Sequence, residues 1–432
     1  MSESLLQRAK GVRDFGPEEK IERDRIVESL KQVFESFGFS PIETPIIERY
    51  ELFASKFGQG DQSDSMKESF KLKDQGLRDL VLRNEFTIPF ARYVGMNPNL
   101  RMPFKRYQIG QVFRDGPIKL GRYREFWQCD VDVVGNPDVS ADTEILMIAQ
   151  KVFAKLGFEV EIYLNNRKLL NAVLDKYEIN KEIATDVIIS IDKLDKIGVD
   201  GVVEELKNKN IEEAKAREFL QILNVTGTNE EKIGKLQTSL GKIDALQEIE
   251  QTINLMPNQE NIVFLPSLAR GLAYYTGNVF EIFLKDKNVM SSAVGGGGRY
   301  DKMIGGFLGK DGDIPAVGIS FGLETILHVI NKTGISEMKK TVTQVYVLAM
   351  GEENMKSAIE TADQIRNLGI NVDIDLQNRK LKKNLEYANA LEIPYVVIIG
   401  SDEIEKKQIT LRNMKDGSQK SIKPEEIKNY LN

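Results

Sequence analysis

The side chains best suited to chemistry lie on one predicted strand within residues 104–135. In its second half the odd positions are apolar, while the even positions are mostly polar, with Arg124, Gln128, Asp130 and Asp132 among them. A period of two places the two sets on opposite faces of a sheet, so the odd set faces a core. Phe126 is the exception, because it puts an aromatic ring on the polar face.

That polar face combines groups that suit a nucleotide. Arg114 ends the preceding predicted strand and Arg122 lies on the intervening loop, so both cations are available to phosphate oxygens. The ring of Phe126 can stack on a base, and the carboxylates suit a cationic or donor-rich group. The alternative is a hairpin face that contacts only solvent.

Composition and charge narrow the class of protein. The chain has 432 residues, enough for two or three domains, and no apolar run approaches the roughly 20 residues that cross a bilayer. The first residues lack the layout of a signal peptide, and a single cysteine fits a reducing cytosol, so we expect a cytoplasmic protein without a membrane partner. The net charge of −6 disfavours binding to DNA, although a local basic surface stays possible.

The single histidine, His328, excludes several mechanisms. A zinc site of several His and Cys side chains cannot form, and a histidine-based triad would depend on this one residue. His328 lies in an apolar run, where a packed helix residue is the better interpretation. We therefore assign it no catalytic role.

The order of predicted elements indicates an α+β protein with two domains. Residues 1–330 carry most of the strands, and a charge-rich helical segment at about 166–255 is interpreted as an insertion. A polar stretch at 331–342 is predicted to be a linker. Residues 343–432 alternate strands and helices, as in a small α/β domain.

Three shorter stretches each allow a functional and a structural interpretation. The four glycines at 295–298 let the backbone approach a ligand or form a tight turn, and they match neither a P-loop nor a dinucleotide fingerprint. The sequence RGLAYY at 270–275 is either a ligand-binding group or a turn with packed tyrosines. A basic cluster near the C-terminus is either a solvated helix end or a nucleic-acid contact, and comprises Arg379, Lys380, Lys382 and Lys383.

In their order along the chain these stretches resemble the histidyl-tRNA synthetase family of class II aminoacyl-tRNA synthetases. Residues 42–53 resemble motif 1, residues 113–135 motif 2 and residues 316–326 motif 3. Residues 268–281 and 295–301 resemble two stretches peculiar to this family. The resemblance implies an antiparallel sheet flanked by helices, with a helical insertion and a C-terminal domain like the family's anticodon-binding domain.

The resemblance also implies a reaction in two steps and a homodimer. L-Histidine would react with ATP to give histidyl-adenylate and pyrophosphate, and the histidyl group would pass to the 3′ end of tRNA(His). Arg114 and Arg270 would be the fixed cations at the α-phosphate, with Arg122 on the outer phosphates and Phe126 against adenine. Mg²⁺ is expected on the pyrophosphate oxygens. Pro45 of motif 1 would lie at the dimer interface.

Seven residues match the family's histidine-binding positions: Glu85, Thr87, Gln128, Asp132, Tyr274, Tyr275 and Tyr300. The first three would hold the α-ammonium group, Asp132 and Tyr275 would bind the imidazole nitrogens, and the other two tyrosines would line the pocket. An amino acid with an apolar side chain would leave the buried acid and phenol without hydrogen-bond partners. This penalty can favour histidine over such an amino acid on the order of 10⁴-fold. The basic cluster at 379–383 would contact tRNA.

Three departures from the family pattern leave alternatives open. Thr325 stands where motif 3 normally has an arginine for the γ-phosphate, Ala273 replaces an acid, and Gly116 lies where motif 2 often has a glutamate. The main alternative is a non-catalytic paralogue, serving as a regulatory subunit of ATP phosphoribosyltransferase or as a tRNA sensor. A class II synthetase for another amino acid is the third interpretation, and would need a different pocket.

Overall fold

A computed structural model describes residues 6–55, 64–118, 121–269, 274–309, 312–335 and 338–431. The chain divides into two units: residues 1–13 with 26–335, and residues 14–25 with 336–432. Among the described helices, none combines the length and the apolar character needed to cross a membrane.

A large sheet of eight strands is the centre of the first unit. In chain order the strands of this unit are β1 (Ser40–Pro41), β2 (Ile47–Arg49), β3 (Lys71–Lys73), β4 (Asp79–Leu82), β5 (Phe104–Phe113), β6 (Glu125–Val134), β7 (Val160–Asn166), β8 (Ile262–Phe264), β9 (Asn278–Leu284), β10 (Gly295–Arg299) and β11 (Ala316–Gly322). The large sheet has the order β1-β5-β6-β11-β10-β9-β7-β8, and β2-β4-β3 form a small sheet. Only the outermost pairs, β1–β5 and β7–β8, are parallel, so the predicted antiparallel sheet is confirmed.

Helices accompany this sheet along the whole unit. They are α1 (Pro17–Ser36), which spans both units, α2 (Tyr50–Ala54), α3 (Asp64–Lys67), α4 (Thr87–Met96), α5 (Ser140–Leu156), α6 (Arg167–Lys176), α7 (Ala184–Ile191), α8 (Leu194–Lys207), α9 (Glu213–Leu223), α10 (Asn229–Leu240), α11 (Asp244–Leu255), α12 (Lys302–Phe307) and α13 (Leu323–Thr333). The predicted helical segment at 166–255 corresponds to α6 through α11. The α+β fold class is therefore confirmed.

The odd positions of β6 enter the main core, as their alternation predicts. Cys129 and Val131 are fully buried there, in one cluster with Leu30 of α1 and Ile148 of α5. The hydrophobic effect thus determines which face of β6 turns inward. As a result the even positions, which carry the polar groups, lie on the opposite face.

The glycine run forms a strand rather than a tight turn. Gly296 pairs with Ser320 and Gly298 with Gly318 of β11, while the other edge of β10 pairs with β9. Strand interiors usually disfavour glycine, and its presence often marks a close approach of another backbone or of a ligand. The tight-turn interpretation of this run is therefore wrong.

We expect Gly297→Ala to destabilise the protein, because a Cβ there would lie 2.0 Å from the carbonyl oxygen of Gly318 and 2.7 Å from Cα of Ile319. These backbone atoms belong to the sheet and cannot move away cheaply, so we predict a loss of about 3 kcal/mol in the free energy of unfolding. Gly295→Ala is the matched control, since its nearest contact would be at 3.2 Å. Denaturant unfolding of both variants tests this prediction, and equal losses would contradict it.

The predicted linker at 331–342 begins inside a helix. Helix α13 continues to Thr333, whose Oγ1 donates a hydrogen bond to the carbonyl of Val329 at 2.8 Å. It ends at Gly334, which adopts the left-handed conformation (φ 65°) that glycine tolerates at helix C-termini. Helix α13 therefore extends three residues into the range predicted as a linker, because the C-capping glycine, not the polar composition, ends the helix.

The second unit contains a five-stranded sheet. Its elements are β12 (Val345–Ala349), α14 (Met355–Arg366), β13 (Val372–Ile374), α15 (Leu381–Ala390), β14 (Tyr395–Ile399), α16 (Ser401–Lys406), β15 (Ile409–Asn413) and β16 (Gln419–Ile422). The strand order is β13-β12-β14-β15-β16, with the first three parallel and the last two antiparallel to their neighbours. The predicted alternation of strands and helices is confirmed, although the predicted final helix is a 3-10 turn at Pro424–Asn429.

Candidate active site

A cavity of about 230 Å³ opens on the polar face of the large sheet. Its polar lining comes from the start of α4 and the residues before it, from the segment before β9, from the ends of β5 and β10, and from β6 and β11. The polar residues are Glu85, Thr87, Arg114, Gln128, Asp130, Asp132, Tyr274, Tyr275, Tyr300 and Ser320. Eight of these ten were predicted site residues; Asp130 and Ser320 were not.

Strand register explains how the sequence creates this space. Asp132 lies opposite Gly318 and Asp130 opposite Ser320 in the β6–β11 ladder. A Cβ at position 318 would lie 2.0 Å from Oδ1 of Asp132. Only a residue without a side chain leaves room here for the carboxylate.

Asp132 is held at the base of the cavity by two buried partners. Its Oδ2 lies 2.6 Å from Nη2 of Arg106, and the hydroxyl of Tyr300 donates to its Oδ1. Burial raises the pKa of Asp132, whereas the Arg106 guanidinium opposes that shift. Because each carboxylate oxygen has two lone pairs, the group can still accept a hydrogen bond from a ligand.

The predicted ammonium-binding residues present acceptors to the cavity. The carboxylate of Glu85 accepts hydrogen bonds from the backbone amides of Thr87 and Ile88 at 3.2 and 2.7 Å, and burial raises its pKa. Gln128 Nε2 donates to Ser320 Oγ at 2.7 Å. Within the described residues, no donor reaches the buried Oε1 of Gln128. This part of the cavity therefore suits a ligand group that carries several hydrogen-bond donors.

Arg114 is open to the cavity, although protein atoms surround it closely enough that burial lowers its pKa. Its Nε donates to the carbonyl of Asn84 at 3.1 Å, and its guanidinium carbon lies 5.0 Å from the centre of the Phe126 ring. Phe126 is half-buried beside the cavity, and Arg122 is exposed on the loop before β6. The other predicted cation, Arg270, lies outside the described residues, as does Ala273.

An acid that the sequence pattern did not suggest lies against Gly116. A Cβ at position 116 would be 2.7 Å from Oε2 of Glu68, and the carbonyl of Glu68 accepts from the amide of Asp115 at 2.6 Å. Glu68 thus occupies the space beside the position where motif 2 often has a glutamate. No local signal could reveal this, because 48 positions separate the two residues.

Other predicted residues lie elsewhere. Thr325 and His328 are half-buried on α13 and do not line the cavity. In the second unit, Lys380, Lys382 and Lys383 are exposed at the start of α15.

Arg379 is less available than the three lysines next to it. Its Nη1 lies 3.4 Å from Oδ1 of Asp375 and donates to the hydroxyl of Tyr346 at 3.3 Å. Its guanidinium carbon also lies 4.5 Å from the centre of the Tyr387 ring. These contacts hold Arg379 within its own domain.

Comparison with known proteins identifies the chain as an aminoacyl-tRNA synthetase of class II. It belongs to the histidyl-tRNA synthetase family, whose sequence model matches residues 11–326, and an anticodon-binding domain model matches residues 344–432. It is 43% identical over 431 residues to histidine–tRNA ligase 1 of Bacillus cereus, covering 99% of both chains. It is 39% identical to histidine–tRNA ligase 2 of Shouchella clausii, covering 96% of this chain and 98% of that one.

Solved structures agree with this assignment. The histidyl-tRNA synthetase of a Nostoc species superposes with a TM-score of 0.84 at 30% identity, covering 99% of this chain and all of the other. A Bacillus halodurans protein described as an ATP phosphoribosyltransferase regulatory subunit/histidyl-tRNA synthetase shares the fold, with a TM-score of 0.75 at 23% identity over 92% of this chain and 99% of that one. Full-length identity to curated ligases supports the synthetase interpretation over the regulatory alternative.

Proposed function

We propose that this chain is an active histidine–tRNA ligase. It activates L-histidine with ATP to histidyl-adenylate and pyrophosphate, then transfers the histidyl group to the 3′ end of tRNA(His). The observation that carries this proposal is a cavity whose lining combines buried hydrogen-bond acceptors with Arg114, which lies beside the aromatic ring of Phe126. Such a lining suits an amino acid placed against a nucleoside triphosphate.

In the activation step, a carboxylate oxygen of histidine attacks the α-phosphorus of ATP, and the bond to pyrophosphate breaks. Negative charge grows on the α-phosphate oxygens, and we assign Arg114 and Arg270 to stabilise it. Arg122 would contact the outer phosphates, and adenine would stack on Phe126. Mg²⁺ would neutralise the pyrophosphate oxygens. The described residues offer no cluster of three or more His, Cys, Asp or Glu side chains for a metal ion, and we assign no step to it.

Selectivity for histidine would come from Asp132 and Tyr275, with Tyr274 and Tyr300 enclosing the ring. Asp132 is 3% exposed and Tyr275 8% exposed, so an apolar side chain would leave both polar groups without a partner. Glu85, Thr87 and Gln128 would bind the α-ammonium group.

Histidine-dependent ATP–pyrophosphate exchange, measured without tRNA and with the other amino acids as controls, tests this function. Exchange with histidine alone is expected, and would make Thr325 a tolerated substitution. A folded protein without exchange would instead favour the regulatory paralogue. Exchange with another amino acid would contradict the assigned pocket.

We further propose that the chain acts on tRNA as a cytoplasmic homodimer. The exposed side chains of Ile46 (39%) and Ile47 (49%) lie in motif 1 beside Pro45, which supports this segment as the dimer contact. Sedimentation of the purified protein would measure the oligomeric state.

Reversing the charges of Lys382 and Lys383 to Glu should raise the apparent KM for tRNA about 10-fold or more without changing ATP–pyrophosphate exchange. The reason is that phosphate contacts dominate affinity for nucleic acids, and both side chains are exposed. The matched control reverses Lys406 and Lys415, which are also exposed in the same domain. If exchange falls as much as aminoacylation, the cluster is structural.

A further inference from the structure

Asp130 is a buried acid in the cavity to which no role has yet been assigned. It is 4% exposed, it lines the cavity, and no donor within the described residues reaches its Oδ1. It lies between Gln128 and Asp132 on the same face of β6. Native proteins rarely leave such a group unsatisfied, so this acceptor indicates a missing partner.

The charges around Asp130 do not supply that partner. The Arg106 guanidinium on β5 is paired with Asp132, and Glu85 adds a second negative charge nearby. The charge of Asp130 also acts on Arg83, which follows β4. The guanidinium of Arg83, however, donates its hydrogen bonds to the backbone carbonyls of Gln111 and Thr44. Three acids, Glu85, Asp130 and Asp132, therefore line the cavity, and the guanidinium of Arg106 is already paired with Asp132.

The acceptors in this part of the cavity match in number the three N–H donors of an ammonium group. Gln128 Oε1 and Asp130 Oδ1 are both buried without a donor among the described residues. The carboxylate of Glu85, which lines the same cavity, supplies a third acceptor. Ser320 lies next to both side chains, because its Oγ accepts from Gln128 Nε2 at 2.7 Å and it pairs with Asp130 in the β6–β11 ladder.

We propose that Asp130 is a substrate-binding residue that accepts a hydrogen bond from the α-ammonium group and releases a proton when the amino acid binds. This inference rests on the proposed function, since it takes L-histidine as the ligand. The proton leaves the Asp130 carboxyl group for solvent, and the resulting carboxylate pairs with the ammonium ion. Asp130 thereby joins Glu85, Thr87 and Gln128 in one binding group.

The protonation state of Asp130 without ligand supports this proton release. Burial raises the pKa of Asp130 to about 8, so near pH 7 the carboxyl group is mostly neutral without ligand. A bound ammonium favours the ionised form and lowers that pKa. Affinity for histidine should therefore increase as the pH rises from about 7 towards 8 and then level off.

Titration calorimetry of the full chain with L-histidine, in two buffers of different ionisation enthalpy near pH 7, measures the protons released. We expect close to one proton per histidine for the wild type and almost none for Asp130→Asn. The variant should also bind histidine about 100-fold more weakly, with the KM for ATP unchanged within about twofold.

Controls separate this role from a structural one and from the proposed function. Asp142→Asn removes another fully buried acid, paired with Arg299 outside the cavity lining; it should lower thermal stability without changing proton release. No proton release by the wild type, or equal release by Asp130→Asn, would overturn the inference. A wild-type protein that binds no histidine would instead contradict the proposed function.

Discussion

Replacing Arg114 with alanine should reduce histidine-dependent ATP–pyrophosphate exchange about 1,000-fold or more. Its guanidinium is fixed by the carbonyl of Asn84 and by the Phe126 ring, and it opens onto the cavity. A preorganised cation at the site of developing charge contributes more in the transition state than in the ground state. The effect should therefore appear in kcat, with the Kd for histidine changed by only a few-fold.

Two comparison variants make this experiment specific. Arg114→Lys keeps the charge but loses the planar fork, so it should recover only part of the activity. Arg101→Ala removes an exposed arginine and should leave exchange unchanged. An equal loss of histidine binding in Arg114→Ala would argue against a role at the α-phosphate.

Replacing Arg106 with methionine should cost about 3–5 kcal/mol of unfolding free energy, because it leaves the buried Asp132 without its counterion. Arg106 has no exposed surface, and its guanidinium carbon also lies 4.2 Å from the centre of the Phe90 ring. Urea unfolding measures this loss. A double variant that also carries Asp132→Asn should recover part of it, because the uncompensated carboxylate is gone.

The loss of unfolding free energy in Arg106→Met should increase as the pH rises. Burial raises the pKa of Asp132 in the folded state, and Arg106→Met removes the cation that opposes this shift. When the pKa of a carboxyl group is higher in the folded protein than in the unfolded chain, the free energy of unfolding falls as the pH rises. The reason is that the unfolded chain releases the proton more readily. Arg106→Met should therefore be closer to the wild type at about pH 5 than at about pH 8. The opposite trend would show that Asp132 is not the affected group.

The sequence predicted those features that repeat along a strand or a helix. Alternation along β6 correctly separated the core positions from the polar positions, because burial of apolar side chains imposes a period of two. The polar face was therefore predictable, including the location of Gln128 and Asp132. Cross-strand pairing was not, since the contacts of Arg106 with Asp132 and of Glu68 with Gly116 join residues far apart in the chain.

Asp130 illustrates a second limit of sequence reasoning. The alternation along β6 placed Asp130 on the correct face, but only the three-dimensional structure revealed that no donor among the described residues reaches its Oδ1. Likewise, the glycine run was compatible with a turn until its pairing with β9 and β11 defined a strand. Arg379 seemed as available as its neighbouring lysines, although Asp375 and Tyr387 hold it within the domain.

The glycine strand has a consequence for changing the amino acid that this site accepts. Gly296, Gly297 and Gly298 line the cavity with main chain alone, so this wall carries no side chain that mutation could trim. Enlarging Gly297 or Gly298 would produce a collision with backbone or with Tyr275. A laboratory search for altered amino acid specificity should therefore randomise β6 and the tyrosines, and leave these two glycines unchanged.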